Sequence, residues 1–130
     1  MRHAAHRRGR YPVNPGILYL IPVPLGATAP EAVLPLPVIE RIRPLTHFAV
    51  ESAKSARAFL KAVGTEQPLQ ALHLEELNEH TPESALNHLL APLIAGHDLG
   101  LISEAGCPAV ADPGANLVAL AQQREIRVVP

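Results

Sequence analysis

LGLISEAGCPAVADPG, Leu99–Gly114, is the stretch on which the reading of this chain turns. It opens on a short apolar run, Leu99 to Ile102, of the kind a buried strand requires. From Ser103 to Pro113 it becomes a loop of small residues, glycine and proline. Asp112 can cap a following helix and Pro113 fits that helix's first position, where a missing N–H costs nothing. The helix is expected over Gly114 to Arg124, and a further strand over Ile126 to Val129. Strand, loop, helix and strand in that order make a parallel β-α-β unit. The small residues of the loop serve either as a tight connection or as a place where a ligand lies close to bare main chain.

Working outward, the same alternation recurs. Ile17 to Ile21, after Pro15-Gly16, reads as a buried strand that stops at the Pro22-Val-Pro24-Leu-Gly26 passage. A short helix is expected over Val38 to Ile42, ended by Pro44, and a second strand over His47 to Val50. Ser52 is a plausible N-cap for a helix reaching Val63, with Gly64 just past its end. Leu69 to Leu74 reads as a third strand. Thr81-Pro82-Glu83 starts another helix with a cap and a first-turn proline, its buried face made by Leu86, Leu89, Leu90 and Leu93, and Pro92 should kink it or end it early. The expected fold is therefore α/β: an open, mostly parallel five-stranded sheet with helices on both faces. Residues 1–15 form a basic tail and 16–130 one domain. Ligands of such sheets sit beyond the carboxyl ends of the strands. There the sequence keeps Pro22 to Gly26, Glu51, Asn78-Glu79 and Ser103 to Gly114.

Composition narrows the function classes. The 130 residues are 48% hydrophobic and 18% charged, with a formal net charge of −1, so no overall field draws the chain to nucleic acid. Fourteen prolines, four Phe/Tyr residues and no Trp leave a core of Leu, Val, Ile and Ala, which suits a covered parallel sheet. Arg2, Arg7, Arg8 and Arg10 could touch RNA phosphates or simply end the chain. No secretory signal follows that tail, and no apolar run approaches the ~20 residues that span a bilayer; a cytoplasmic protein is expected. The single Cys107 excludes an intrachain disulfide. The seven histidines show no metal-ligand spacing, and no metal is expected. Gly-x-Gly-x-x-Gly and Walker loops are absent, and Ser103 lies outside a nucleophile-elbow context.

Four motifs, in order, carry a resemblance. The segment Leu101-Ile-Ser-Glu-Ala-Gly-Cys-Pro-Ala-Val-Ala-Asp-Pro-Gly114 resembles the Val-Ser-Asp-Ala-Gly-Thr-Pro-x-Ile-Ser-Asp-Pro-Gly signature of the RsmI-type ribosomal RNA 2′-O-methyltransferases, within the tetrapyrrole-methylase superfamily. Gly16-Ile-Leu-Tyr-Leu-Ile-Pro-Val-Pro-Leu-Gly26 is similar to that family's opening Gly-x-Leu-Tyr-Leu-Val-x-x-Pro-Ile-Gly. Asn78-Glu79 resembles its His-x-x-Asn-Glu loop, and Ile126 to Pro130 the strand leading into its next glycine-proline loop. The likeness spans Gly16 to Pro130.

The resemblance implies an N-terminal α/β domain that, with a second domain, folds around S-adenosylmethionine, usually in a homodimer acting on small-subunit ribosomal RNA. By position, Pro22, Pro24 and Gly26 approach the cofactor, and Ser103, Ala105, Gly106 and Val110 line it. Pro108, Asp112 and Pro113 shape the loop. Asn78, Lys54 and Arg57 face the substrate, and Glu79 or Glu51 takes the proton from a ribose hydroxyl. Each carboxylate serves equally as an exposed or capping group, and the basic stripe Lys54, Arg57, Lys61 equally as a solvated helix face. The chain also departs from the family. Glu51-Ser52-Ala53-Lys54 stands where the RNA enzymes have Glu-Asp-Thr-Arg, which exchanges a bidentate fork for a point charge. Glu104 replaces an aspartate and Cys107 a threonine. Because the family continues past Pro130 into its second domain, little methyl transfer is expected of this chain alone. A tetrapyrrole or other small-molecule methyltransferase, and a truncated remnant without chemistry, are the alternative readings.

Overall fold

The computed structural model describes residues 11, 13–24, 34–105 and 113–130. Among the described residues, five parallel strands form one open sheet: β1 (Leu18–Pro24), β2 (His47–Val50), β3 (His73–Glu76), β4 (Leu99–Ala105) and β5 (Val128–Val129), in the order β3-β2-β4-β1-β5. The described α-helices between them are α1 (Leu36–Ile42), α2 (Ala53–Val63), α3 (Leu86–Ile94) and α4 (Pro113–Gln123). The expected α/β class, with its open parallel sheet covered on both sides, is the one observed.

The strand order explains which helix covers which face. From β1 the chain steps over β4 to β2 and then to β3; from β3 it reverses, stepping over β2 to β4 and over β1 to β5. With one hand of crossover, reversing direction moves the connecting helices to the opposite face. The buried side chains divide accordingly. Ile39 and Ile42 of α1 and Ala56, Leu60 and Val63 of α2 pack with Ile21, Phe48, Val50 and Ile102. Leu86, Leu89, Leu90 and Leu93 of α3 and Leu117 and Ala121 of α4 pack with Leu18, Ala49, Leu99 and Leu101. Neighbouring strand residues such as Leu101 and Ile102 thus feed two different cores, as the two-residue period of a strand demands. Gly100 leaves room between them: a Cβ there would sit 2.9 Å from both Ile21 Cδ1 and Phe48 Cδ1.

Local chemistry sets the boundaries, and several differ from expectation. The α2 caps are as read: Ser52 Oγ accepts from Ser55 N at 3.3 Å, and Gly64 takes a left-handed φ of 82°. The third strand is displaced. Leu69–Ala71 is a 3₁₀ turn after Pro68, and the ladder begins only at His73, opposite His47. As an edge strand β3 needs one partner and little burial, so the preceding leucines misplace it. Thr81 does not cap α3; its hydroxyl accepts from Asn78 N at 3.0 Å, and a 3₁₀ turn, Glu83–Ala85, leads into the helix. Pro92 stands inside α3, which ends two residues later at Ile94, and the four leucines expected on its inner face are buried.

The most consequential difference is at β1 and β4, which both run longer than the sequence suggested. They pair from Leu18↔Leu99 through Pro22↔Ser103 to Pro24↔Ala105. The prolines continue the strand because of where their missing donors would point. Leu18 N donates to Arg127 O on the β5 side, and donors alternate along a strand, so residues 20, 22 and 24 also face β5. The β5 ladder reaches only Tyr19. Pro22 and Pro24 therefore give up donors on the side away from β4, where their absence costs the β1–β4 ladder nothing.

Candidate functional site

The carboxyl edge of the sheet gathers the residues singled out in the sequence. β1 and β4 lie side by side, and the helices that follow them, α1 and α4, pack on opposite faces of the sheet; ligands of parallel α/β sheets sit where the strand order reverses in this way. Here Pro22 lies opposite Ser103 and Pro24 opposite Ala105. Ser103 is exposed and belongs to β4, not to the loop in which it was expected. Gly26, Gly106, Pro108, Val110 and Asp112 lie outside the described residues. Pro113 occupies the first position of α4, as expected.

One strand over, Val50 pairs with Ile102, which brings Glu51 level with Ser103. Glu51 is exposed and lines a cavity of about 30 Å³ with Val23, Ser52, Ser55, Phe59 and Ile102. That space holds a water, not a cofactor. Cavities of about 370 and 320 Å³ lie at the opposite edge, and one of about 210 Å³ lies between α1 and β1.

Asn78 and Glu79, expected to act together, are separated in role. Asn78 organises the turn after β3: its Oδ1 accepts from His80 N at 2.9 Å, and its Nδ2 reaches Glu51 O at 3.5 Å. That second bond ties the β3 turn to the end of β2 and holds Glu51 in place. The Glu79 side chain is 74% exposed, with His80 Nε2 4.0 Å from its Oε1. It projects from the turn into solvent.

Lys54 and Arg57 are both exposed on α2, and Lys61 continues their line. Because α2 starts at the carboxyl edge, Lys54 lies beside Glu51 and Arg57 a turn further away. A lysine in a helix's first turn opposes the macrodipole. Glu76 answers that charge: its Oε2 accepts from Ala53 N at 2.9 Å, adding an acidic cap to the one Ser52 supplies. Sequence reading passed over Glu76 because its partner lies 23 residues away and the expected strand ended before it. The described residues contain no group of three or more His, Cys, Asp or Glu side chains placed to hold a metal ion, and no described helix is long and apolar enough to cross a membrane.

Known proteins supply a comparison. No family model matches the chain. It is 34% identical over 120 residues to a Xylella fastidiosa protein named ribosomal RNA small subunit methyltransferase I, covering 90% of this chain and 40% of that protein. Proteins of the same name from Escherichia coli O157:H7 (33% over 115 residues, 88% of this chain and 37% of theirs) and Mesorhizobium japonicum (35% over 119 residues, 92% and 37%) match similarly. The chain spans about two-fifths of the length of the curated relatives it matches.

Proposed function

We propose that this chain, similar over about nine-tenths of its own length to proteins named ribosomal RNA small subunit methyltransferase I, forms the N-terminal α/β half of an S-adenosylmethionine-dependent enzyme of the tetrapyrrole-methylase fold that methylates a ribose 2′-hydroxyl of small-subunit ribosomal RNA. The observation that carries the proposal is the pairing of Pro22–Pro24 with Ser103–Ala105 at the carboxyl edge, between two adjacent strands whose following helices lie on opposite faces.

In this reading the cofactor lies across the ends of β1 and β4. Pro22, Pro24 and Gly26 border one side; Ser103, Ala105, Gly106 and Val110 border the other, with Pro108, Asp112 and Pro113 fixing the path of the main chain. The cofactor, when bound, would supply a methyl group on a sulfonium, and the residues of this edge would hold it for in-line transfer to the ribose hydroxyl. Holding the oxygen, carbon and sulfur in line supplies ~7–11 kcal/mol of the barrier. The hydroxyl proton passes to a carboxylate. Glu51, level with Ser103, is better placed for this than Glu79, which would need the turn around it to bend inwards. Asn78 then positions Glu51 through its main chain, and Lys54 and Arg57 offer charge to the RNA backbone. A second domain closes the cleft, and pairing of two copies in the cytoplasm completes the enzyme.

Titration calorimetry with S-adenosylhomocysteine tests the cofactor site. Heat that Ala105→Trp abolishes is expected, whereas an intact chain that binds neither cofactor nor product refutes the site. Labelled-methyl transfer to ribosomal small subunits should stay near background with this chain alone. In a protein that also carries the second domain, Glu51→Gln should reduce turnover about 10²-fold or more, and Glu79→Gln less, since general-base contributions run at ~10²–10⁴. Equal turnover with and without the Glu51 carboxylate removes it from the chemistry.

A further inference from the structure

The opposite, amino-terminal edge carries a cluster that the proposed chemistry does not use. Three imidazoles form a column. His47, at the start of β2, lies 4.5 Å centroid to centroid from His73 at the start of β3, with 13° between the rings. On its other side it lies 4.6 Å from His97, at 23°. His97 is exposed, and as the end ring it has one face that His47 does not occupy. It lines a cavity of about 370 Å³ together with Thr46, Gly96, Asp98, Tyr19 and Arg41. The Arg41 guanidinium lies over the Tyr19 ring, 5.4 Å from its centroid.

The wall holding His97 is firmly built. Gly16 N donates to Leu93 O at 2.8 Å, His97 N to Pro92 O at 2.9 Å, and Ile17 N to Asp98 Oδ1 at 2.8 Å. His97 is therefore carried by a turn pinned to both α3 and the entry of β1. The cavity lining includes an imidazole, a cation resting on an aromatic ring, and a carboxylate that accepts from Ile17 N. Its volume is at the small end of ligand sites, the size of a single nucleotide rather than a large cofactor. RNA-binding proteins splay unpaired bases onto aromatic rings, histidine included, and take the adjoining phosphate with arginine.

We propose that this cavity is a second nucleotide site, in which an unpaired base of an RNA strand adds a fourth ring to the histidine column at His97 while Arg41 takes the neighbouring phosphate. Asp98, which also lines the cavity, would serve as an acceptor, favouring an exocyclic amino group or a 2′-hydroxyl over a bare carbonyl edge. The assignment of RNA as the source rests on the function proposed above. The site itself lies at the far edge of the sheet from the cofactor, so it anchors a flanking part of the substrate rather than the reacting ribose.

Fluorescence anisotropy with an end-labelled, unstructured hexaribonucleotide tests it, using the intact chain, His97→Ala, His97→Phe and Arg41→Ala. S-adenosylhomocysteine titrations on the same samples, with circular dichroism, verify the fold. His97→Ala should weaken RNA binding about tenfold and His97→Phe should restore it, since the ring face is the binding element. Arg41→Ala should weaken binding and lower the salt dependence by about one counterion. RNA affinity unchanged in both His97→Ala and Arg41→Ala overturns the site. If cofactor-product binding persists in that case, the methyltransferase reading stands without it; if the intact chain binds RNA in the expected pattern but no cofactor or product, that reading falls and the RNA site remains. Adenosine monophosphate competing as strongly as the hexamer overturns the RNA assignment in favour of a free-nucleotide site.

Discussion

At the scale of single residues, the sheet interior and the histidine column make opposite demands. Gly100 is fixed by its neighbours: Gly100→Ala forces a methyl group against Ile21 and Phe48 and should cost ~1–3 kcal/mol, the usual penalty for overpacking, read as a lower midpoint in urea at unchanged slope. His47 responds to acid instead. Burial first, then the charges of His73 and His97, push its pKa below the ordinary 6.5. The fold thus favours the neutral ring, so this contribution to stability is complete above pH 6.5 and is lost as pH falls through 6.5 towards the lower folded value. The groups facing it are His73 from β3, His97 from the turn before β4 and the Thr46 hydroxyl, 2.9 Å from its Nδ1, with Glu75 and His88 lining the adjoining cavity. His47→Gln should accordingly flatten the fall in melting temperature between pH 7 and pH 5; an unaltered slope would show that the column does not titrate against folding. Nothing in the sequence disclosed this column. Its rings come from positions 47, 73 and 97, and only the parallel register of β2 with β3 and the pinned turn after α3 bring them together.

Among the elements, those with strong periodicity or clear caps were legible and those defined by pairing were not. α2 was readable from Ser52, Gly64 and the spacing of Ala56, Leu60 and Val63, and α3 from its four leucines. These features predict specific costs. Ser52→Ala should remove ~1 kcal/mol, part of it retained because the Glu76 carboxylate caps the same helix end. Leu90→Ala, at a fully buried position in α3, should cost ~2–5 kcal/mol with its cavity; thermal or urea unfolding of both variants measures the difference. β3 and β4 were misjudged for a common reason. A strand's limits are set by its neighbours, and neither the His47↔His73 register nor the continuation of β4 to Ala105 along two prolines is written in local composition. The same shortfall affects the candidate site. The sequence named Ser103, Ala105, Pro22 and Pro24 as a group through resemblance, whereas the side-by-side pairing that makes them one edge follows only from topology.

For the molecule as a whole, the reversal of direction after β3 is the organising fact. It puts α1 and α2 on one face and α3 and α4 on the other, and it leaves β1 and β4 adjacent. On the function proposed above, a domain built this way should fold without methylating by itself. The expected result is a cooperative unfolding transition together with labelled-methyl incorporation near background; a noncooperative melt would mean that the sheet does not form on its own. The prolines of β1 have a further consequence for solubility. A strand flank that offers a full row of donors is an invitation to a stray chain, which can add itself as another strand and begin an aggregate. On the side of β1 away from β4, residues 22 and 24 have no donor to offer, so an intruder would find no continuous ladder to join there. The same two residues that border the proposed cofactor site should therefore also discourage such pairing.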